Sequence, residues 1–479
     1  MVATLQLWWQ TLLAVPDLKL YLSLGWLAYL LGLGGWIILQ KREPAATLSW
    51  LISLAALPYL GFVIYYLFGP QRIHRQRLRR VRARALLPSL APGFAPRPEA
   101  VELARLAQST TGLPPSTATR ADLLVDGGAK YAALLADIAA AREHVHLEYY
   151  IFYPDTTGTA VRDALIERAR AGVQVRLLMD AVGSGKTPQR FFRELVEAGG
   201  EVAWFHPMRF GLRIWRRPWL NMRSHRKLVV IDNTVAYTGG INITDEEDER
   251  LRADAYRDLH LRVEGAIVST LQLVFVEDWA YATGAAPVAL PPPPADPGPV
   301  RVQVLVSGPD SSWETIHRLH VGAIHSARRR VWLVTPYFVP GEAARMALTS
   351  AALGGLDVRL IVPRVSDSRL VTLAARSYFD ELLSAGVKVY EYGPRLLHTK
   401  ALLCDDDLAI VGSANFDHRS FRLNFELSLL IHDRGTCAGL AELIERECSH
   451  AQRVRHDRHR GLWRTRLPEA LARLVSPLL

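Results

Sequence analysis

Two segments of this chain place the same three side chains at the same offsets. "HRKLVVID" begins at His225 and "HTKALLCD" begins at His398. Both read H-x-K-x-x-x-x-D, so Lys227 and Asp232 follow the first histidine as Lys400 and Asp405 follow the second. The chain holds only seven lysines, at positions 19, 41, 130, 186, 227, 388 and 400, among many arginines. Arginine is the default cation here. The two motif lysines therefore ask for a compact ammonium group rather than a planar guanidinium fork.

The flanks repeat as well. "AKYAALLADIAAAREHVHLEYYIFYP" and "SWETIHRLHVGAIHSARRRVWLVTPYFVP" each read as a helix followed by a strand. "GVQVRLLMD" answers "GLDVRLIVP", and "LVEAGGEVAWFHP" answers "LLSAGVKVYEYGP". After each motif comes a second strand, ending "YTGGIN" or "IVGSAN", so Asn242 and Asn415 both lie 17 residues beyond their histidine. Self-similarity of this kind is an internal duplication. Apolar strands alternating with helices predict an α/β fold of two related halves. A run of four prolines in "PVALPPPPADPGPV" separates them and excludes helix or central strand there. The boundaries expected are 120–286 for the first half, 287–300 for the linker and 301–479 for the second half. The halves differ where Pro207 lies 18 residues before His225 but Pro394 only four before His398. The extra segment, "MRFGLRIWRRPWLN", mixes Phe210, Trp215 and Trp219 with arginines, a composition suited to a lipid headgroup interface as well as to an ordinary surface loop.

The N-terminus selects among acidic partners. With a net charge of +10 and pI ≈ 9.6, the chain favours nucleic acid or an anionic membrane. From Leu20 to Gln40, and again between Glu43 and Arg72, there is no charged residue. Each run reaches the roughly 20 residues needed to cross a bilayer core, and "KREP" between them reads as a tight turn. The expectation is a transmembrane helical hairpin over 1–70, with spans at about 20–40 and 46–69. A basic and Pro/Ala-rich linker follows over 71–119, beginning "QRIHRQRLRRVRAR". The positive-inside rule places that arginine run and everything after it in the cytoplasm, against anionic lipid. Three cysteines, Cys404, Cys437 and Cys448, form no convincing disulfide framework and no metal-ligand spacing, and suit a reducing compartment.

On a strand, His225 and Lys227 share one face, as do His398 and Lys400. Each aspartate lies at an odd offset of seven from its histidine. Within the motif, Asp232 and Asp405 count with the catalytic set; by strand parity they suit its architecture. If the halves associate about a pseudo-twofold axis, one cleft receives two imidazoles, two ammonium groups and the amides of Asn242 and Asn415. That inventory suits a phosphodiester. The lysines and asparagines would hold the non-bridging oxygens, one histidine would attack phosphorus and the other would protonate the leaving alcohol. No cofactor and no metal are expected, because fixed cations do the charge work and lysine beside histidine is a poor ligand set.

The two motifs and their G-G/S-x-N followers resemble the phospholipase D superfamily. With "REPAATLSWLISLAALPYLGFVIYYLFG", "SHRKLVVID", "GGINITDE", "TPYFVP", "HTKALLCDDDLAIVGSANFDHRSFRLNFE" and the closing "LARLVSPLL", the chain is most similar to the two-span bacterial cardiolipin synthases, over nearly its whole length. The resemblance implies two α/β/α halves around one central site. It also implies an acid after each motif that orients the opposite half's histidine: Asp258 in "YRDLHL" for His398, and Glu426 in "NFELSL" for His225. It makes His225 the nucleophile and His398 the acid and base. The implied activity is transfer of a phosphatidyl group between two phosphatidylglycerols with release of glycerol, at the bacterial inner membrane, with anionic lipid rather than nucleic acid as partner. Three alternatives use other chemistry or none: a phospholipase D hydrolase giving phosphatidic acid, a nuclease, and a non-catalytic scaffold on anionic membrane. Two intact motifs oppose the last, and the apolar N-terminus opposes the nuclease.

Overall fold

The duplication in the sequence is a duplication of two β-sheets. The computed structural model describes residues 16–39, 44–57, 65, 101–207, 221–285, 298–456, 461–474 and 476. The first half builds a seven-stranded sheet from β2 (Arg120–Val125), β3 (His144–Tyr149), β4 (Gln174–Asp180), β5 (Glu201–Phe205), β6 (Leu228–Ile231), β7 (Val235–Gly239) and β8 (Leu259–Glu264), in the order β2-β8-β7-β6-β3-β4-β5. The second half repeats that order with β9 (Val300–Ser307), β17 (Glu426–His432), β15 (Leu408–Gly412), β14 (Ala401–Cys404), β10 (Arg330–Val334), β12 (Asp357–Pro363) and β13 (Lys388–Tyr392). In each half three strands run parallel, β3-β4-β5 and β10-β12-β13, and the hairpin that follows the motif, β6-β7 or β14-β15, lies antiparallel beside them.

Strand alternation assigns each face to a different core. Leu228 and Val230 join Ala401 and Leu403 in one buried cluster, with Val268, Leu271 and Phe275 of the helix Ile267–Thr283 and Leu440 and Ile444 of the helix Arg434–Ser449. Val229 and Ile231 face the other way, onto the helices Asp126–Ala140 and Thr156–Arg170. Leu402 and Cys404 face the helices Thr315–Ser326 and Glu342–Leu353. The two halves thus share one apolar core, and each has its own outer core.

One expected boundary shifts. Residues 101–118 are not linker. The helix Val101–Thr111 buries Leu103 and Ala107 in the second half's outer core. β1 (Ser116–Ala118) adds antiparallel to β9 at the edge of the second sheet. A stretch placed before the first half thus completes the second, because the amphipathic pattern of "VELARLAQSTT" needs an apolar surface and β9 leaves an open edge. At the opposite edge β18 (Ala451–Arg453) pairs with β13, giving nine strands in all.

The chain divides into two compact units, the N-terminal residues falling in one and nearly all of the two halves in the other. The N-terminal unit contains the helices Leu18–Leu39, of 22 residues, and Pro44–Ala56, of 13. Ile37, Leu54 and Tyr65 are buried together there. Among the described residues no helix is long and apolar enough to cross a membrane. The expected turn at "KREP", most of the second span, the arginine run, the segment 208–220 with its tryptophans and the Pro-rich linker lie outside the described residues.

Candidate active site

Neither motif histidine lies in its own sheet. β6 begins at Leu228 and β14 at Ala401, and the residues just before them reach across to the other half. Ser224 forms a parallel bridge with Phe425, and Leu397 forms one with Arg257. The His225 amide donates to the Phe425 carbonyl at 2.9 Å, and the His398 amide to the Arg257 carbonyl at 2.7 Å. The residue after each bridge partner is an acid, Glu426 or Asp258. These two cross-half contacts therefore set each histidine opposite a carboxylate from the other half.

The side chains use that placement. His225 Nδ1 lies 3.0 Å and 3.1 Å from the two carboxylate oxygens of Glu426. His398 Nδ1 lies 2.6 Å from Asp258 Oδ2. A carboxylate only accepts, so Nδ1 carries the proton in each ring and Nε2 presents its lone pair outward. Lys227 Nζ donates to the His225 carbonyl at 2.8 Å, and Lys400 Nζ to the His398 carbonyl; Lys400 also sits 3.6 Å from Asp258. Tyr150 packs edge-on against His225 with centroids 5.0 Å apart, and Tyr256 lies 5.5 Å from His398. His225, Lys227, Lys400, Asp258 and Glu426 are buried, and His398, Tyr150 and Tyr256 are half-buried.

Burial and mutual repulsion set the charge states. Burial lowers the His225 pKa, Glu426 opposes and Lys227 adds to the fall. Burial, then Lys400, drives His398 well below the ordinary histidine value. Burial and the neighbouring Lys400 bring Lys227 down to about 7, and burial lowers Lys400. Burial pushes Glu426 up, but His225 and its hydrogen bond outweigh it and hold the carboxylate below its usual value. Two crowded, desolvated ammonium groups are a site waiting for an anion.

The motif aspartates accept hydrogen bonds from backbone amides. Asp232 accepts from the amides of Arg142, Glu143 and His144, the residues entering β3. Asp405 accepts from Arg328, Arg329 and Arg330, entering β10. Both take a left-handed φ, +50° and +53°. The histidines precede β6 and β14 and the aspartates follow them, and the turn at the end of each strand aims its aspartate at the neighbour strand's first amides.

The two asparagines are not equivalent. Asn242 Nδ2 donates to Glu247 Oε1 at 2.6 Å, and its Oδ1 accepts from the Ile151 amide. One donor and one acceptor position of that amide are thus used inside the protein. Its carbonyl accepts from Tyr131 Oη at 2.6 Å and from the buried Lys130 Nζ at 3.3 Å. Asn415 Oδ1 is buried without a hydrogen-bond partner among the described residues.

Glu247 is the site residue that sequence reasoning missed. It is 1% exposed, burial raises its pKa, and one of its carboxylate oxygens lies within 4.8 Å of both Asp258 and His398. The available signal was its place five residues after Asn242, where the second half has Ser420. Glu247, Asp258 and His398 are also the grouping that could hold a metal. Asp258 is already taken by His398 and faces Lys400, so a cation there would compete with an ammonium group.

Two duplicated α/β halves, with a His–Lys pair from each close enough to shift the other's charge states, define a phospholipase D-like protein. A family profile described as "Cardiolipin synthase, PLD-like domain" matches residues 134–255 and 321–448, and one described as "Phospholipase_D-nuclease N-terminal" matches 27–70. The chain is 39% identical over 459 residues to the cardiolipin synthase of Geobacillus kaustophilus, covering 92% of this chain and 91% of that one. It is 40% identical over 466 residues to cardiolipin synthase 2 of Bacillus anthracis, covering 92% and 88%. Among solved structures, a phosphatidylserine synthase from Haemophilus influenzae superposes with a TM-score of 0.60 at 15% identity, over 79% of this chain and 100% of that one; it shares the fold. The chain belongs to the cardiolipin synthase family of phospholipase D-like proteins.

Proposed function

We propose that this protein transfers a phosphatidyl group from one phosphatidylglycerol to another, making cardiolipin and releasing glycerol. The observation that carries the reading is the crossed pairing of His225 with Glu426 and His398 with Asp258, which leaves two imidazole Nε2 atoms and two ammonium groups around one space. The names of its relatives favour cardiolipin as product.

In the first step His225 Nε2 attacks phosphorus, while Lys227 and Lys400 neutralise the non-bridging oxygens. The P–O bond to glycerol breaks, and His398, which takes up a proton at Nε2 once the bound phosphodiester anion offsets the repulsion of Lys400, gives that proton to the departing oxygen. In the second step a hydroxyl of the second phosphatidylglycerol passes its proton to His398. Its oxygen then attacks phosphorus and the P–N bond to His225 breaks. Glu426 and Asp258 hold the two rings and stabilise the charge each acquires. Water in place of the second lipid would give phosphatidic acid.

The N-terminal unit would serve as a membrane hairpin. The sequence carries no charge from Leu20 to Gln40, about as many residues as a bilayer core requires. The charge-free sequence continues past the helix Pro44–Ala56 to residue 71. With the arginine run that follows, this favours an inner-membrane protein with its catalytic halves on the cytoplasmic side.

The test is full-length protein with labelled phosphatidylglycerol in bilayers, with products separated by lipid chromatography. Cardiolipin and glycerol in equal amounts are expected. Phosphatidic acid as the main product would make the protein a hydrolase.

A further inference from the structure

The last helix of the second half is turned the wrong way for a soluble surface. Leu467, Leu471 and Leu474 are 37%, 55% and 77% exposed, whereas Glu469 and Ala472 of the same helix are buried. At 100° per residue the three leucines fall within about 60° of one another, a single apolar stripe. The turn before the helix, Leu462–Arg466, extends the exposed apolar surface with Leu462 at 57% and Trp463 at 76%. Arg464 and Arg466 stand exposed beside it, with no carboxylate partner among the described residues.

The stripe is held firmly. Arg473 lies over the Tyr378 ring at 4.5 Å and donates to the Ser377 carbonyl at 3.4 Å, and Tyr378 Oη meets Ser476 Oγ at 3.1 Å. These contacts fix the helix Leu467–Leu474 on Ser377 and Tyr378, just after the helix Arg369–Arg376, so its exposed leucines are presented by packed structure.

We propose that this C-terminal face is a membrane-docking surface for the catalytic part of the protein, taking an anionic lipid monolayer. Leucines and a tryptophan in the apolar stripe with arginines alongside match an interface of acyl chains beneath anionic headgroups. Charge favours this occupant over a second copy of the chain, since two such faces would set Arg464 and Arg466 against their own kind on a protein of net charge +10. The inference rests on the lipid-substrate reading above, but adds a site that the reaction does not need. Docking would hold the cleft at the level of the headgroups independently of the N-terminal unit.

Full-length protein with Cys448→Ser and Leu471→Cys, spin-labelled and reconstituted in phosphatidylglycerol-containing bilayers, tests this directly. Cys404 and Cys437 are buried and leave the new thiol as the reactive one. The label is expected to collide more with oxygen than with a water-soluble nickel chelate. A water-type collision profile overturns the proposal. So does dipolar broadening that disappears on dilution with unlabelled protein, which would place a second copy on the face. The triple variant Leu467→Ser, Leu471→Ser, Leu474→Ser is expected to raise the KM for bilayer substrate about fivefold with kcat unchanged in detergent micelles; equal kinetics in both media would also overturn it. Cardiolipin formation measured on the same samples separates this outcome from a failure of the assigned reaction.

Discussion

Asp258 and Glu426 differ by one methylene, and the residues facing them differ to match. A Cβ on Gly240 would sit 2.2 Å from Asp258 Oδ1, so the shorter acid, held close to the chain, requires glycine there. In the second half Ser413 takes that place and donates to Glu426 Oε2. The sequence difference between "GGIN" and "GSAN" thus records which acid sits opposite. Gly240→Ser is expected to displace Asp258 and cut kcat by tenfold or more, whereas Ser413→Gly should cost only a few-fold, as read by steady-state turnover. The pH profile carries a sign as well. His225 must be neutral to attack, and its lowered pKa puts the acidic limb of kcat/KM below the ordinary value of about 6.5. Lys227 must be charged to hold the anion, so activity falls as pH rises through about 7 in the free enzyme. Glu426→Gln removes the charge that opposes burial, and is expected to move the acidic limb to lower pH while reducing kcat. An acidic limb that moves upward would contradict the pairing.

At the scale of elements, the motif is a device for joining strands. Asp232 and Asp405 each gather three amides at the entry of the neighbouring parallel strand. Asp232→Ala or Asp405→Ala is expected to lower stability by about 1–3 kcal/mol, from lost charge-assisted hydrogen bonds and alanine's poor tolerance of a left-handed φ. Turnover per folded molecule should change little. Denaturant unfolding beside active-site titration separates the two effects. The repeat of apolar segments was legible and matched the order of both sheets; the strand-parity argument did not apply, because β6 and β14 begin only after each motif's lysine. The partners of His225 and His398 were not readable from spacing, because they lie 201 and 140 residues away and only the cross-half bridges bring them near. Resemblance supplied them. Glu247 escaped because the copies diverge there, and one of five acids in "ITDEEDER" looks like part of a solvated loop until its burial is known.

For the whole molecule, the two halves are one folding unit with one shared core, and the chain before residue 120 takes part in it. A protein beginning near residue 98 keeps the helix Val101–Thr111 and β1, and is expected to fold and turn over lipid in mixed micelles. One beginning at Thr119 strips Leu103, Ala107 and Leu113 from buried positions, and should unfold at markedly lower temperature by circular dichroism. Amphipathic periodicity over 101–111 was present in the sequence. The surface it covers belongs to the half that comes later in the chain, so reading along the chain could not assign it. The central claim is that both halves build one site with unequal histidines. Its most direct test is covalent trapping with a phosphorus-labelled donor carrying a good leaving group, quenched and mapped by mass spectrometry. Acid-labile phosphate is expected on His225 in the native protein and in His398→Asn, and on neither residue in His225→Ala. Label on His398, or equal labelling of both single variants, would contradict the account.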